Sequence, residues 1–234
     1  MASAVEILAK QAMKTFGDRR SVNYRLCQKN LDKLWSLMNK ITAEDVKLDK
    51  SILDFVSVQP APMCAMDIFE NKDITIAIFI LKHGITMPMH DHPGMHGLLK
   101  VISGIVELNS YSLKAKSDHI IKANEEIVAV RHRPVILHSN SSACVLTPSD
   151  KNLHEISCIK GPAAFLDILS PPYDVDIFGH GPRPCTYFKA VKSKLCTEST
   201  DVIEEVHLSV VESPPDFYSS SLEYIGPPLK IYND

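Results

Sequence analysis

Between residues 74 and 170 the sequence breaks into short β-branched runs with turn residues between them, and this texture restricts the fold more than any other feature. The runs are Ile74–Ile80, Leu98–Ile102, Ile105–Leu108, Glu126–Val130, Ala143–Leu146, Leu153–Ser157 and Ala163–Leu169. Lys82-His-Gly84, Ser103-Gly104 and Asn140-Ser-Ser142 supply turns between them. Closely spaced strands without helical patterns argue against a βαβ sheet and for a sandwich or barrel, a closure that also protects strand edges. Residues 200–212 read as a further strand. Residues 171–185, rich in Pro, Gly and Asp, read as a surface loop, and 213–234 as a Pro-punctuated tail.

The N-terminal part has a different period. Val5, Leu8, Ala9, Ala12 and Phe16 form one helical stripe, and Leu31, Leu34, Trp35 and Met38 a second, both as expected of core-facing helices. Residues 4–41 are therefore expected to be helical, and Thr42-Ala-Glu-Asp45 to cap a further helix of one or two turns. The 234 residues suit a single all-β domain: a helical segment over about 1–50, then a barrel with a C-terminal tail over about 60–234.

Composition removes several functions. A net charge of −3 gives no basic excess for nucleic acid or an anionic membrane. No apolar run is long enough to span a bilayer. The N-terminus lacks a secretory pattern, and Glu6 with no Arg before Arg19 argues against a mitochondrial leader, so a cytoplasmic setting is expected. Cys27, Cys64, Cys144, Cys158, Cys185 and Cys196 are widely spaced with no CxxC pair, which fits reduced thiols. With no heptads and no long apolar tail, a monomer is expected.

The ten histidines carry more information, because several cluster in Gly84-Ile-Thr-Met-Pro-Met-His90-Asp-His92-Pro-Gly-Met-His96-Gly97. On a strand, His90 and His92 share a face, so two imidazoles can converge on one cation from inside a barrel. Pro93-Gly94 ends the strand and places the pair near a rim. A third ligand must come from a strand distant in sequence. His154, in Asn152-Leu-His-Glu-Ile156, is the best candidate; a hydrogen-bonded core histidine is the alternative. His138, after Val135-Ile-Leu137, is a further candidate to line a pocket, and Met87, Met89 and Met95 flank the site as pocket walls or core.

The G-x5-H-x-H spacing resembles the first cupin motif, without the usual glutamate; the second motif lacks its glycines around His154. Within the cupins, His90-Asp-His-Pro-Gly-Met-His-Gly97, Asn152-Leu-His154, Gly161–Leu169, Pro171-Pro-Tyr-Asp174 and Cys185-Thr-Tyr187 resemble the thiol dioxygenases, the family of cysteamine dioxygenase and the plant cysteine oxidases. The likeness runs from about residue 60 to 190, with an echo in Tyr224-Ile-Gly-Pro227. It implies a cupin-type double-stranded β-helix, a jelly-roll barrel, holding one non-haem Fe(II) per chain through His90, His92 and His154, with O2 as co-substrate. Three neutral ligands leave the ion its full charge and open positions, and an anionic thiolate replaces the missing carboxylate. The implied reaction takes an aminothiol, either cysteamine or the N-terminal cysteine of a peptide or protein, to a sulfinic acid. On a protein N-terminus it would act as an oxygen-dependent mark for degradation. A cupin enzyme of another class, or an inactive ligand-binding cupin, shares part of the pattern; metal identity and thiol-dependent oxygen uptake separate them.

The resemblance also assigns neighbours. Asp167, in an apolar run, matches an aspartate near the iron that orients substrate or water; the alternative is a structural hydrogen-bond acceptor. Tyr173 matches a pocket tyrosine or serves as a loop anchor. Cys185 and Tyr187 share a face if extended, either as packing or as partners in a thioether crosslink. Independently of the resemblance, His96 bonds to a backbone carbonyl or a metal-bound water, or is a turn residue. The 171–185 loop, with Ile177-Phe-Gly-His180, is expected to reshape the rim where substrate enters.

Overall fold

A computed structural model describes residues 1–19, 21, 24–114, 126–176, 182–198 and 201–230. His119, the Ile177–His180 stretch and the Cys196 side chain lie outside what is described. Three helices, α1 (Ala4–Phe16), α2 (Gln28–Met38) and α3 (Lys50–Val58), precede the strands. Ser3 caps α1 by accepting from the Glu6 amide, and Asp49 caps α3 by accepting from the Ile52 amide. The Thr42–Asp45 signal does form reciprocal capping bonds, but they close an isolated turn that ends at Lys47 with φ of 53°. The helix after it begins at the next cap, so the helical segment extends to Val58.

The strands are β1 (Met63–Glu70), β2 (Thr75–Leu81), β3 (Thr86–Asp91), β4 (His96–Leu113), β5 (Glu126–Arg131) and β6 (Val135–His138), then β7 (Cys144–Leu146), β8 (Leu153–Ser170), β9 (Tyr187–Glu198), β10 (Asp201–Val211) and β11 (Ser219–Ser221). Two expected strand pairs are single long strands. Ser103-Gly104 is a bend inside β4, and the gap after Ser157 is a bend inside β8. Gly104 has φ of +74°, and a Cβ there would lie 2.6 Å from the Ala163 Cα, so the bend requires glycine.

These two bent strands build the jelly roll. They pair antiparallel along their length, His96 opposite Ser170 and Tyr111 opposite Leu153, with register shifts at the bend. Each passes from one sheet to the other. The first sheet runs β11-β1-β2, then the second half of β8, the first half of β4, and β7. The second joins β3 to the first half of β8, the second half of β4, and β6. Between the sheets lies a core that includes Leu81, Met87, Val101, Val106, Ile156 and Phe165.

The helices cover the outer face of the first sheet. Val5, Leu8, Ala9, Ala12 and Phe16 are fully buried against residues such as Ile76, Ile78, Leu166 and Ile168. At about 1.5–3 kcal/mol per large side chain, this is a major part of the stability. It also explains why β2 and the end of β8 read as continuous apolar runs: both their faces are buried. The Trp35 indole donates to the Ala143 carbonyl at 2.8 Å and the Asn39 side chain accepts from the Ala143 amide at 2.7 Å, tying α2 to the β7 edge.

Strands β8-β3-β9-β10-β5-β4 close a ring of pairings back to β8. Each contributes to a separate apolar cluster: Met89, Tyr111, Ala129, Leu153, Phe188 and Leu208. Thus Met89 packs away from the central core. No helix among the described residues is long and apolar enough to cross a membrane.

Candidate metal centre

The three histidines converge. His154 stands directly opposite His90 across the β3–β8 ladder, and His92 follows just past the end of β3. Their candidate ligand nitrogens all lie within 4.8 Å of one another. Alternation along β3 alone would put Met87 on the face opposite His90, yet both line the same cavity. A register shift between Met87 and His90, at Pro88, lets Met87 and His90 both face the central core while Met89 faces the other cluster. Proline is tolerated there because a bulge frees that position from the ladder.

Hydrogen bonds fix which ring nitrogen is available. The His90 Nδ1 lies 2.9 Å from the Pro88 carbonyl, and the His92 Nδ1 lies 3.1 Å from the Asn152 carbonyl. A carbonyl only accepts, so each Nδ1 carries the hydrogen and each Nε2 keeps its lone pair. Burial lowers the pKa of all three rings, and the neighbouring imidazoles lower those of His92 and His154 further. Three neutral, buried imidazoles, with no carboxylate grouped with them among the described residues, fit a divalent first-row transition metal.

The histidines line a cavity of about 140 Å³. Asp167, Tyr173, Cys185 and Tyr187 line it as well, so four further candidates meet there. Burial raises the Asp167 carboxyl from 3.8 to about 7, against a backbone hydrogen bond that lowers it. The Cys185 thiol is pushed up to about 12, first by burial and then by Asp91. Burial also holds the Tyr173 phenol well above its usual range.

His96 stands elsewhere. It is not a wall of this cavity; its ring lies 6.2 Å from that of Phe16, and its buried Nδ1 has no hydrogen-bond partner among the described residues. His138 is exposed at the end of β6, where its backbone amide bonds to Ser141 and its Nδ1 accepts from the Asn140 amide. It lines no part of the cavity because the inward position of that short strand belongs to Leu137. Of the three flanking methionines only Met87 is a wall.

Sequence reasoning missed the apolar walls Met63, Phe79, Phe165 and Phe217, which have no distinguishing pattern in the chain. It also missed the ties that hold the loop. The Asp91 carboxylate accepts from the Thr186 amide at 2.8 Å, and the Tyr173 hydroxyl donates to the Asp91 carbonyl at 2.6 Å. The Arg183 guanidinium donates to the carbonyls of Pro93, Pro172 and Val175. Asp91 and Arg183 thereby join the segment bearing Tyr173 and Cys185 to the segment bearing His90 and His92.

Comparisons with known proteins give the family. The PCO_ADO family model matches residues 37–229. The chain is 33% identical to 2-aminoethanethiol dioxygenase of Homo sapiens, over 97% of each protein. It is 27% identical to plant cysteine oxidase 2 of Arabidopsis thaliana, over 97% of this chain and 83% of that one. Among solved structures, KdgF from Halomonas sp. is similar with a TM-score of 0.33 at 15% identity, covering 50% of this chain and 86% of that one. A three-histidine centre in a jelly-roll cavity and a match across most of the sequence lead to one conclusion: this chain belongs to the PCO_ADO family.

Proposed function

We propose that this protein is an Fe(II)-dependent thiol dioxygenase, which adds both atoms of O2 to an aminothiol to give a sulfinic acid. The aminothiol is cysteamine or the N-terminal cysteine of a peptide. The convergence of His90, His92 and His154 on one cavity carries this reading, and the printed names of the relatives support the reaction class. Bound ferrous iron would supply oxygen activation and hold the substrate sulfur as thiolate. The three imidazoles would hold that ion. Phe79, Phe165 and Leu169 keep water from the reacting atoms. Asp167 is the sole carboxyl among the described walls, and it accepts a hydrogen bond from the substrate amine. The wide spacing of the six cysteines, with no CxxC pair, supports a reducing, cytoplasmic setting.

An oxygen electrode tests the reading. Protein loaded anaerobically with Fe(II) is given cysteamine, free cysteine and a Cys-initiated peptide in turn. Uptake is expected with cysteamine or the peptide and little with free cysteine. His154→Ala should lose both uptake and iron retention. Iron-loaded protein that consumes oxygen with none of the three thiols overturns the proposal.

A further inference from the structure

The C-terminal segment read as a tail is a strap across the cavity. Val211, at the end of β10, pairs with Tyr187, and Ser219, at the start of β11, pairs with Met63. Tyr187 and Met63 are both cavity walls, on strands that do not pair with each other: β9 pairs with β3 and β10, and β1 with β2 and β11. Residues 212–218 connect these two anchors. The Phe217 amide bonds to the Pro214 carbonyl, and the Leu222 amide to the Ala65 carbonyl, fixing a turn and the far end of the strap.

Within the strap one side chain lines the cavity. Pro215, Asp216, Tyr218 and Ser219 are exposed, whereas Phe217 is half-buried, packs on the central core and lines the cavity. Its ring occupies a position that no strand supplies. Proline at 214 and 215 narrows the conformations open to the segment, which favours keeping the ring in place.

We propose that Phe217 is a specificity-determining residue, whose ring limits how much of a substrate beyond its aminothiol end the cavity accepts. This rests on the thiol dioxygenase reading of the same site. On this proposal a two-carbon aminothiol sits within the walls, whereas a Cys-initiated peptide carries its chain past Phe217. Removing the ring therefore favours the peptide over cysteamine, and enlarging it does the reverse. Differences of a few carbon atoms in such a wall change discrimination by about tenfold or more.

Cysteamine and a Cys-initiated peptide are supplied together to Fe(II)-loaded protein, and the two sulfinic products are measured by mass, giving the ratio of kcat/KM values. Phe217→Ala should raise the peptide-to-cysteamine ratio about tenfold, and Phe217→Trp should lower it. Tyr218→Ala, which removes an outward ring from the same strap, should leave the ratio within twofold of wild type, on the order expected for a surface change. Anaerobic titration of peptide onto each variant gives a readout independent of turnover, with binding tightened by Phe217→Ala and weakened by Phe217→Trp. If both Phe217 variants keep the wild-type ratio, or Tyr218→Ala shifts it as far as Phe217→Ala, the proposal is overturned. Wild-type protein inactive toward every thiol overturns the underlying reading instead, so the two failures are distinct.

Discussion

Replacing Asp167 by asparagine in the metal-free protein should stabilise the fold, and more so as the pH rises. The carboxyl is buried among Phe165, Leu169 and the three histidines, and burial raises its pKa from 3.8 to about 7. The sign follows from which state binds more protons. Below about pH 4 both folded and unfolded chains hold the proton, so nothing is lost. Between about 4 and 7 the folded chain holds a proton that the unfolded chain has released, and stability falls as pH rises. Above about 7 both are ionised and the penalty is constant. At about 1.4 kcal/mol per pH unit, the full penalty is about 4 kcal/mol at pH 8 and about 1–2 kcal/mol at pH 5. Asparagine keeps an oxygen that can accept from the Ile168 amide but carries no charge to desolvate. The stability gap between variant and wild type should therefore widen by about 2–3 kcal/mol between pH 5 and pH 8. Urea unfolding of chelator-treated protein at the two pH values measures this. A gap that does not change with pH refutes the premise that this carboxyl is shut away from solvent.

Two further perturbations follow from the geometry. Gly104→Ala combines a left-handed backbone with a Cβ 2.6 Å from the Lys160 carbonyl oxygen, and should cost about 2–5 kcal/mol, read as a lowered urea midpoint. Asp91→Ala leaves the Thr186 amide without its acceptor and should cost about 1–3 kcal/mol, with thiol-dependent oxygen uptake falling as Cys185 and Tyr187 lose their tie. Asp91→Asn retains an acceptor oxygen and should recover most of that stability in the same unfolding assay.

How far the sequence revealed the molecule depended on whether a signal was local. The stripe of Val5, Leu8, Ala9, Ala12 and Phe16 announced its helix because every member faces one sheet. The runs at 74–80, 126–130 and 143–146 announced strands because each is a short, β-branched stretch bounded by turn residues. By contrast, β9 escaped because Lys189 to Lys194 are exposed on both faces of the strand and so carry no alternation, with Phe188 as its buried anchor in the side cluster. The unity of β4 and of β8 was hidden because a glycine or proline inside a bent strand has the same composition as a turn between two strands. Only the ladder from His96–Ser170 to Tyr111–Leu153 separates the cases. His90, His92 and His154 were legible as a chemical set, whereas Phe217 and Asp91 acquire meaning only from what lies opposite them.

Register links these observations to chemistry. Along the end of β8, Ala164, Leu166 and Ile168 face the helices, while Phe165, Asp167 and Leu169 face the cavity. The carboxyl therefore enters the site because the helices claim the other parity, not because Asp167 differs in surroundings along the chain. On β3 the opposite device operates: the irregularity at Pro88 breaks the parity set by Met87, and the same residue's carbonyl then fixes the His90 tautomer. A one-residue slip in either strand would exchange the faces, sending Asp167 toward apolar helix or His90 toward the Met89 cluster. The metal centre and the packing of the N-terminal helices are thus consequences of one pair of registers, and the helical segment, though remote from the histidines, helps to keep the site's alternation from shifting.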